Sequence, residues 1–246
     1  MNGSEPPYRD RTDAGRVLAG YLSHYEPDEA IVLAIPRGGI PVAVEVAKRL
    51  GATLDVIVAR KIPIPQNTEA GYGAVTEDGA VVLNDPLVQR LGLTGRQIER
   101  HADEVRQEIR RRQAAYRTYL RPSSVEGKAA IIIDDGLASG YTMMAASKSI
   151  RQRGAAKVVA AAPVASSTAR ELLAAVADEV VSPVVSYRTP FAVAGFYREW
   201  HDLTDEEVFV ELKGFAEYGK RQRRGPGGHV LGEAGGEAGT VPSVRP

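Results

Sequence analysis

Two aspartates, Asp134 and Asp135, close an apolar β-branched run and precede a segment of almost bare backbone in "IIIDDGLASGYT" (131–142). Adjacent carboxylates can accept hydrogen bonds from the vicinal hydroxyls of a diol, or hold a hydrated Mg2+. As mere strand caps they would repel each other at a buried strand end, which is electrostatically costly. Residues 136–140 expose backbone N–H groups just ahead of a helix that begins near Thr142. Such a helix start cradles a phosphate, and the hydroxyls of Ser139 and Thr142 add donors. A second small-residue loop, "PRGG" (36–39), pairs Arg37 with the bare amides of Gly38 and Gly39 and suits another anionic group. It also reads as a tight strand-to-helix turn, and both readings stay open. The ligand so described has a phosphate at one end, a diol in the middle and a second anion beyond.

These residues need elements that bring them together. The runs "AIVLAI" (30–35) and "AAIII" (129–133) read as buried strands, each leading through one of the loops into a helix. Open parallel sheets bind ligands outside the carboxyl ends of their strands, so the loops converge if the two strands are neighbours. "LDVIVA" (54–59) reads as another buried strand ending at Arg60 and Lys61. The proline-rich stretch 62–72 follows as an exposed mobile loop, then "GAVTEDGAVVL" as a hairpin turning at Asp78-Gly79. Near the start, Val17, Leu18, Tyr21 and Leu22 are read as one face of a helix capped by 10–12. Ile98, Ala102, Val105, Ile109 and Tyr116 recur at helical spacing over 94–120, with Thr94 as N-cap. "KVVAAAPVA", the helix around "ARELLAAVA" and "EVVSPVV" complete the alternation. The expected fold is α/β, an open parallel sheet with helices on both faces, a small hood and an inserted long helix.

Composition bounds the function. Of 246 residues, 31 are Lys or Arg and 31 Asp or Glu, so overall charge argues for neither nucleic acid nor membrane. With no cysteine, disulfides, thiolate metal sites and a cysteine nucleophile are excluded. The N-terminal residues lack an apolar leader and no run is long enough to span a bilayer, which suggests a cytoplasmic protein. "GFAEYGKR" (214–221) carries Arg221 where a P-loop needs a hydroxyl, and "GYGAVT" (71–76) lacks the third glycine of a dinucleotide fingerprint. Histidines 24, 101, 201 and 229 show no ligand spacing. The arginine-rich face of 94–120 reads as solvated surface. From Gly219 onward the glycine-rich composition predicts a disordered tail, leaving 8–218 as the domain.

"AIIIDDGLASGYT" resembles the phosphoribosyl pyrophosphate (PRPP) signature of type I phosphoribosyltransferases. "RDRTDAG", "PRGG", "ARK" and "GFYREW" extend the resemblance over about residues 8–212, to a bacterial and archaeal branch of that family. The resemblance implies a transferase of nucleotide metabolism or salvage that passes 5-phosphoribosyl from Mg·PRPP to a nitrogen acceptor and releases pyrophosphate. Asp134 and Asp135 would hold the ribose hydroxyls, and Ala138, Ser139, Gly140, Tyr141 and Thr142 the 5′-phosphate. Arg37, Gly38 and Gly39 would meet pyrophosphate. Arg60 and Lys61, with 62–72, correspond to the catalytic flexible loop. Phe196, Tyr197 or Trp200 would stack on the acceptor. Mg2+ would be held mainly through substrate and water, with Asp134 and Asp135 as further ligands. Gly136 departs from the apolar residue usual in the signature. Ala138 departs from the aspartate of 6-oxopurine enzymes, which argues against hypoxanthine or guanine. The expected partners are PRPP and a small-molecule acceptor, without membrane or nucleic acid, with a homodimer left open. A PRPP-sensing regulator on the same fold is the alternative, and a pyrophosphokinase lacks its ATP-site signature.

Overall fold

The protein is described by a computed structural model over residues 5–65 and 67–224. In chain order the elements are α1 (Arg11–Tyr21), β1 (Ala30–Ala34), α2 (Gly39–Leu50), β2 (Thr53–Val56), β3 (Ala59–Ile64), β4 (Asn67–Thr76) and β5 (Val81–Leu83). Then come α3 (Asp85–Leu91), α4 (Gly95–Tyr116), β6 (Ala129–Ile133), α5 (Tyr141–Gln152), β7 (Lys157–Ala161) and β8 (Val164–Ser166). The chain continues through α6 (Ser167–Leu173), β9 (Glu179–Val181), β10 (Val184–Ser186), a 3-10 turn (Val193–Phe196) and α7 (Asp205–Arg224).

Five strands pair in the order β2-β1-β6-β7-β9, every neighbour parallel. Successive side chains of a strand point to opposite faces. Val32, Ala34, Ile131 and Ile133 accordingly join the core shared with α1, α2, α4 and α7. Ile31, Leu33, Ala130 and Ile132 join the one shared with α5 and α6. Both faces are buried, which is why these strands are continuously apolar. The central expectation holds: β1 and β6 are neighbours, with Ala34 opposite Ile133, and their loops leave the same edge.

Several expectations need correction. The stretch 62–72 is no exposed loop but contributes both arms of an antiparallel β3–β4 hairpin, with Ile62 and Tyr72 fully buried. Pro63 is accommodated because the register shifts on either side of it, where a strand tolerates a missing N–H. Residue 66, within that stretch, lies outside the described residues. "LDVIVA" is divided: β2 ends at Val56, so Arg60 and Lys61 belong to the hairpin and not to the parallel sheet. On α1, Leu18 and Leu22 are buried while Val17 and Tyr21 face outward. The composition break at Gly219 does not end α7, which continues to Arg224; the rest of the expected tail lies outside the described residues. Helix α3, capped by Asn84, went unread because seven residues are too few for a periodic signal.

Helix α4 follows its sequence pattern closely. Thr94 and Gln97 form a capping box, and Ala102, Val105, Ile109 and Tyr116 are buried. It lies along the hairpin, tied by Tyr72 Oη and His101 Nδ1 at 2.9 Å and by Gln113 Nε2 donating to Glu77 at 2.9 Å. Its C-terminal end is fixed by Arg117, which pairs with the buried Asp55 of β2.

Candidate active site

The acidic pair and the "PRGG" loop are in direct apposition. A side chain at Gly38 would fall inside the Asp135 carboxylate, and one at Gly39 would strike the Ile133 carbonyl and the Asp134 backbone. Both glycines are therefore set by close approach of two loops, beyond anything a turn requires. The Ile35 amide donates to Ile133 O at 2.8 Å, continuing the pairing to the loop itself. The Pro36–Arg37 peptide is cis.

Asp135 is held from three sides. Arg11 Nε donates to its Oδ2 at 2.8 Å, its own N–H donates to Asp134 Oδ1 at 2.8 Å, and Tyr197 Oη donates to its carbonyl at 2.6 Å. Arg11 is itself buried, spends Nη1 on His201 O at 3.0 Å, and lies 3.8 Å over the Trp200 ring. Burial and the adjacent Asp135 charge push the Asp134 carboxyl well above the usual carboxylate range. Burial also raises Asp135, with Arg11 opposing. A pair that ionises reluctantly suits a site whose ligand supplies hydroxyl donors or positive charge.

The segment 136–140 is pinned from below by β8. Leu137 N–H donates to Val164 O and Ser166 N–H to Leu137 O, both at 2.9 Å, while Ser166 Oγ donates to Ala138 O at 2.7 Å. Gly140 has φ +79° and no side chain caps α5, so the first N–H groups of that helix are left for an anion. Ala138 and Ser139 are exposed at the rim. At Gly136 the Val193 methyls of the 3-10 turn occupy the volume a side chain would need, which explains the departure from the usual apolar residue.

A cleft of about 280 Å³ opens between these loops and the hairpin. Arg37, Arg60, Lys61 and Arg112 line it together with Asp134 and Thr142. Arg37 Nη1 lies 3.5 Å from Asp205 Oδ1 at the start of α7. Arg60 pairs with Glu108, which also accepts from Arg112 Nη2 at 3.0 Å. Burial and the neighbouring Arg112 lower the Arg60 pKa from its ordinary value. Four cations around one small cleft repel one another, an arrangement that an anionic ligand relieves.

Asp134, Arg37, Arg60, Lys61 and Thr142 are thus gathered around one cleft, with Asp135 beside it, its carboxylate held by Arg11 against Gly38. The acceptor candidates separate. Tyr197 is 4% exposed, packed on Tyr8 and Trp200, so it supports the acidic pair from beneath instead of offering a face to a base. Phe196 and Trp200 are partly exposed. Sequence reasoning missed Arg11, Glu108 and Arg112. Arg11 lay within the quoted "RDRTDAG", but nothing local marks its side chain as buried. On α4, Arg106 pairs with Glu99 and Asp103 at 2.7 Å, part of an ion-paired helix face. Among the described residues no group of three or more His, Asp or Glu side chains could hold a metal ion, and no helix is long and apolar enough to cross a membrane.

Comparison with known proteins gives consistent likenesses. A family model described as "Phosphoribosyl transferase domain" matches residues 75–199, half of the chain. The chain is 40% identical over 219 residues, 86% of its length, to the Mycobacterium tuberculosis protein named "Putative phosphoribosyl transferase Rv0571c". It spans about half the length (48%) of that relative. The crystal structure of TT1426 from Thermus thermophilus is 38% identical, superimposes with a TM-score of 0.70, and is matched over 98% of its own chain and 85% of this one.

Proposed function

Since this chain belongs to the type I phosphoribosyltransferase family, we propose that it transfers 5-phosphoribosyl from PRPP to a nitrogen acceptor with release of pyrophosphate. The observation that carries this reading is the meeting of the acidic pair, the α5 start and the "PRGG" loop beside a cleft lined by Arg37, Arg60, Lys61 and Arg112. The uncapped start of α5 would take the 5′-phosphate. Asp134 and Asp135 would accept from the ribose hydroxyls, and Arg37 with the hairpin cations would take the pyrophosphate. Mg2+ would be bound chiefly by pyrophosphate oxygens and water, with Asp134 and Asp135 as candidate protein ligands, and when bound would neutralise charge on the leaving group.

In the reaction the C1–oxygen bond breaks as the acceptor nitrogen bonds to C1, and the electron pair leaves with pyrophosphate. Positive charge develops on the ribose ring. The Asp134 carboxylate below it, once deprotonated, opposes that charge, while Arg37, Arg60 and Lys61 stabilise the departing anion. Holding both ends of PRPP orients C1 towards the acceptor. The partly exposed rings of Phe196 and Trp200 would offer the acceptor an apolar border.

The test is pyrophosphate release from PRPP and Mg2+ in the presence of a panel of purine, pyrimidine and pyridine bases. Release that depends on one base, and is lost in the Asp134→Asn, Asp135→Asn double variant, is expected. Saturable PRPP binding without release for any base would make this a PRPP-binding regulator instead.

A further inference from the structure

Helix α4 is more than a brace for the hairpin. Its Arg112 lines the cleft beside Arg37 and Arg60, although it lies fifty residues from either in sequence or more. The Nε of Arg112 is buried without a hydrogen-bond partner, and the hydroxyl of Tyr116, one turn further on, lies against the same guanidinium. Tyr116 is 1% exposed and packs edge-on against Phe209, which fixes this turn of α4 in the core. A buried donor without a partner is costly, and Arg112 brings its Nε to a cationic cleft where an anion would satisfy it. The adjacent Nη2 of the Arg112 guanidinium is engaged: it donates to Glu108, and Glu108 at the same time pairs with Arg60. The carboxylate thus occupies two of the cations that a bound anion would otherwise meet.

We propose that Arg112 binds the pyrophosphate of PRPP from α4, and that Glu108 is the internal counter-anion which pyrophosphate displaces. The proposal rests on the transferase reading and refines it, because it assigns the inserted helix to the leaving-group end of the substrate. A planar guanidinium with Nε and one Nη turned to the same side suits two phosphate oxygens at once, as an ammonium does not. Displacement of Glu108 frees Arg60 as well, so a single anion engages both cations. Burial first and then the neighbouring Arg112 disfavour the charge on Arg60, and an anion of higher charge than a carboxylate offsets both.

Two substitutions in this one cluster should act in opposite directions. Calorimetric titration of the full chain with magnesium pyrophosphate should give roughly tenfold or weaker binding for Arg112→Gln, with Arg112→Lys intermediate. Glu108→Gln should bind several-fold more tightly than wild type, because no carboxylate has to be displaced. Ribose 5-phosphate, which lacks the pyrophosphate, should bind all of these variants equally, separating the effect from general damage to the fold. Wild-type affinity for pyrophosphate in Arg112→Gln, or weakened binding in Glu108→Gln, would overturn the proposal while leaving the transferase reading intact. No binding of pyrophosphate or PRPP by the wild type would overturn both.

Discussion

At the scale of single residues, Asp134 works against the fold it belongs to. Its carboxyl sits above the usual range because burial and Asp135 disfavour its charge. An acid with a raised folded-state pKa contributes stability in its protonated form at low pH, and that contribution is lost as pH rises through the folded value. Asp134→Asn should therefore raise Tm near neutral pH, by about 2–4 °C for each kcal/mol relieved in a chain of this size. The gain should shrink as pH falls and vanish near pH 3, below the ordinary aspartate range, where both states of the wild type are protonated. PRPP affinity should fall about tenfold in the same variant. Thermal melts across pH, set beside a PRPP titration, check both halves; a gain that is constant with pH would dissociate it from ionisation. Arg11 presents the reverse case. It and Asp135 are 8% and 14% exposed at their side chains, and removal of one partner leaves the other charged and buried. Arg11→Met should cost about 3–5 kcal/mol in urea unfolding, and a second change, Asp135→Asn, should recover part of it. The acidic pair was legible because its chemistry is contiguous in the chain. Arg11 was not, since its partner is 124 residues away and no local pattern announces a buried ion pair.

Among the elements, the hairpin shows how composition misleads when tertiary packing intervenes. Prolines and polar residues over 62–72 weaken any local preference for a strand, yet Ile62 and Tyr72 bury completely and α4 lies along them. Such context overrides propensity in strands more readily than in helices. Helix α4 illustrates the contrast: twenty-two residues of clean periodicity with a capping box fixed its place in the sequence, though not what it packs against. Ladder pairing in the hairpin should appear in hydrogen exchange. The amides of residues 60–62 and 73–75 should be protected to a degree near that of β1 and β6, since Arg60, Lys61 and Ile62 oppose Val75, Ala74 and Gly73 in an antiparallel ladder. Exchange as fast as in the exposed loop around residue 188 would argue that the segment opens in solution and behaves as the loop its composition suggested.

For the whole molecule, the equality of 31 basic and 31 acidic residues conceals a segregation of charge. The β–α alternation and the sheet were readable from hydrophobic pattern alone, because burial on both faces leaves the strands no polar alternative. The distribution of charge was not readable, since it depends on which side chains three separate segments turn towards one cleft: Arg37 from the β1 loop, Arg60 and Lys61 from the hairpin, Arg112 from α4. A protein without net charge exerts little long-range attraction on a polyanion, so the pull on PRPP must be local and arise from these four groups. The Debye length falls from about 10 Å at 0.1 M salt to about 3 Å at 1 M, which screens a partly exposed cleft but hardly touches the buried cores. PRPP affinity should accordingly drop several-fold between 50 and 500 mM sodium chloride while Tm changes little, and Arg112→Gln should flatten the salt dependence by removing one of the four charges. Titration at four salt concentrations, with melts recorded alongside, measures both. An affinity indifferent to salt would mean that ribose and phosphate contacts, and not the cationic cleft, dominate binding.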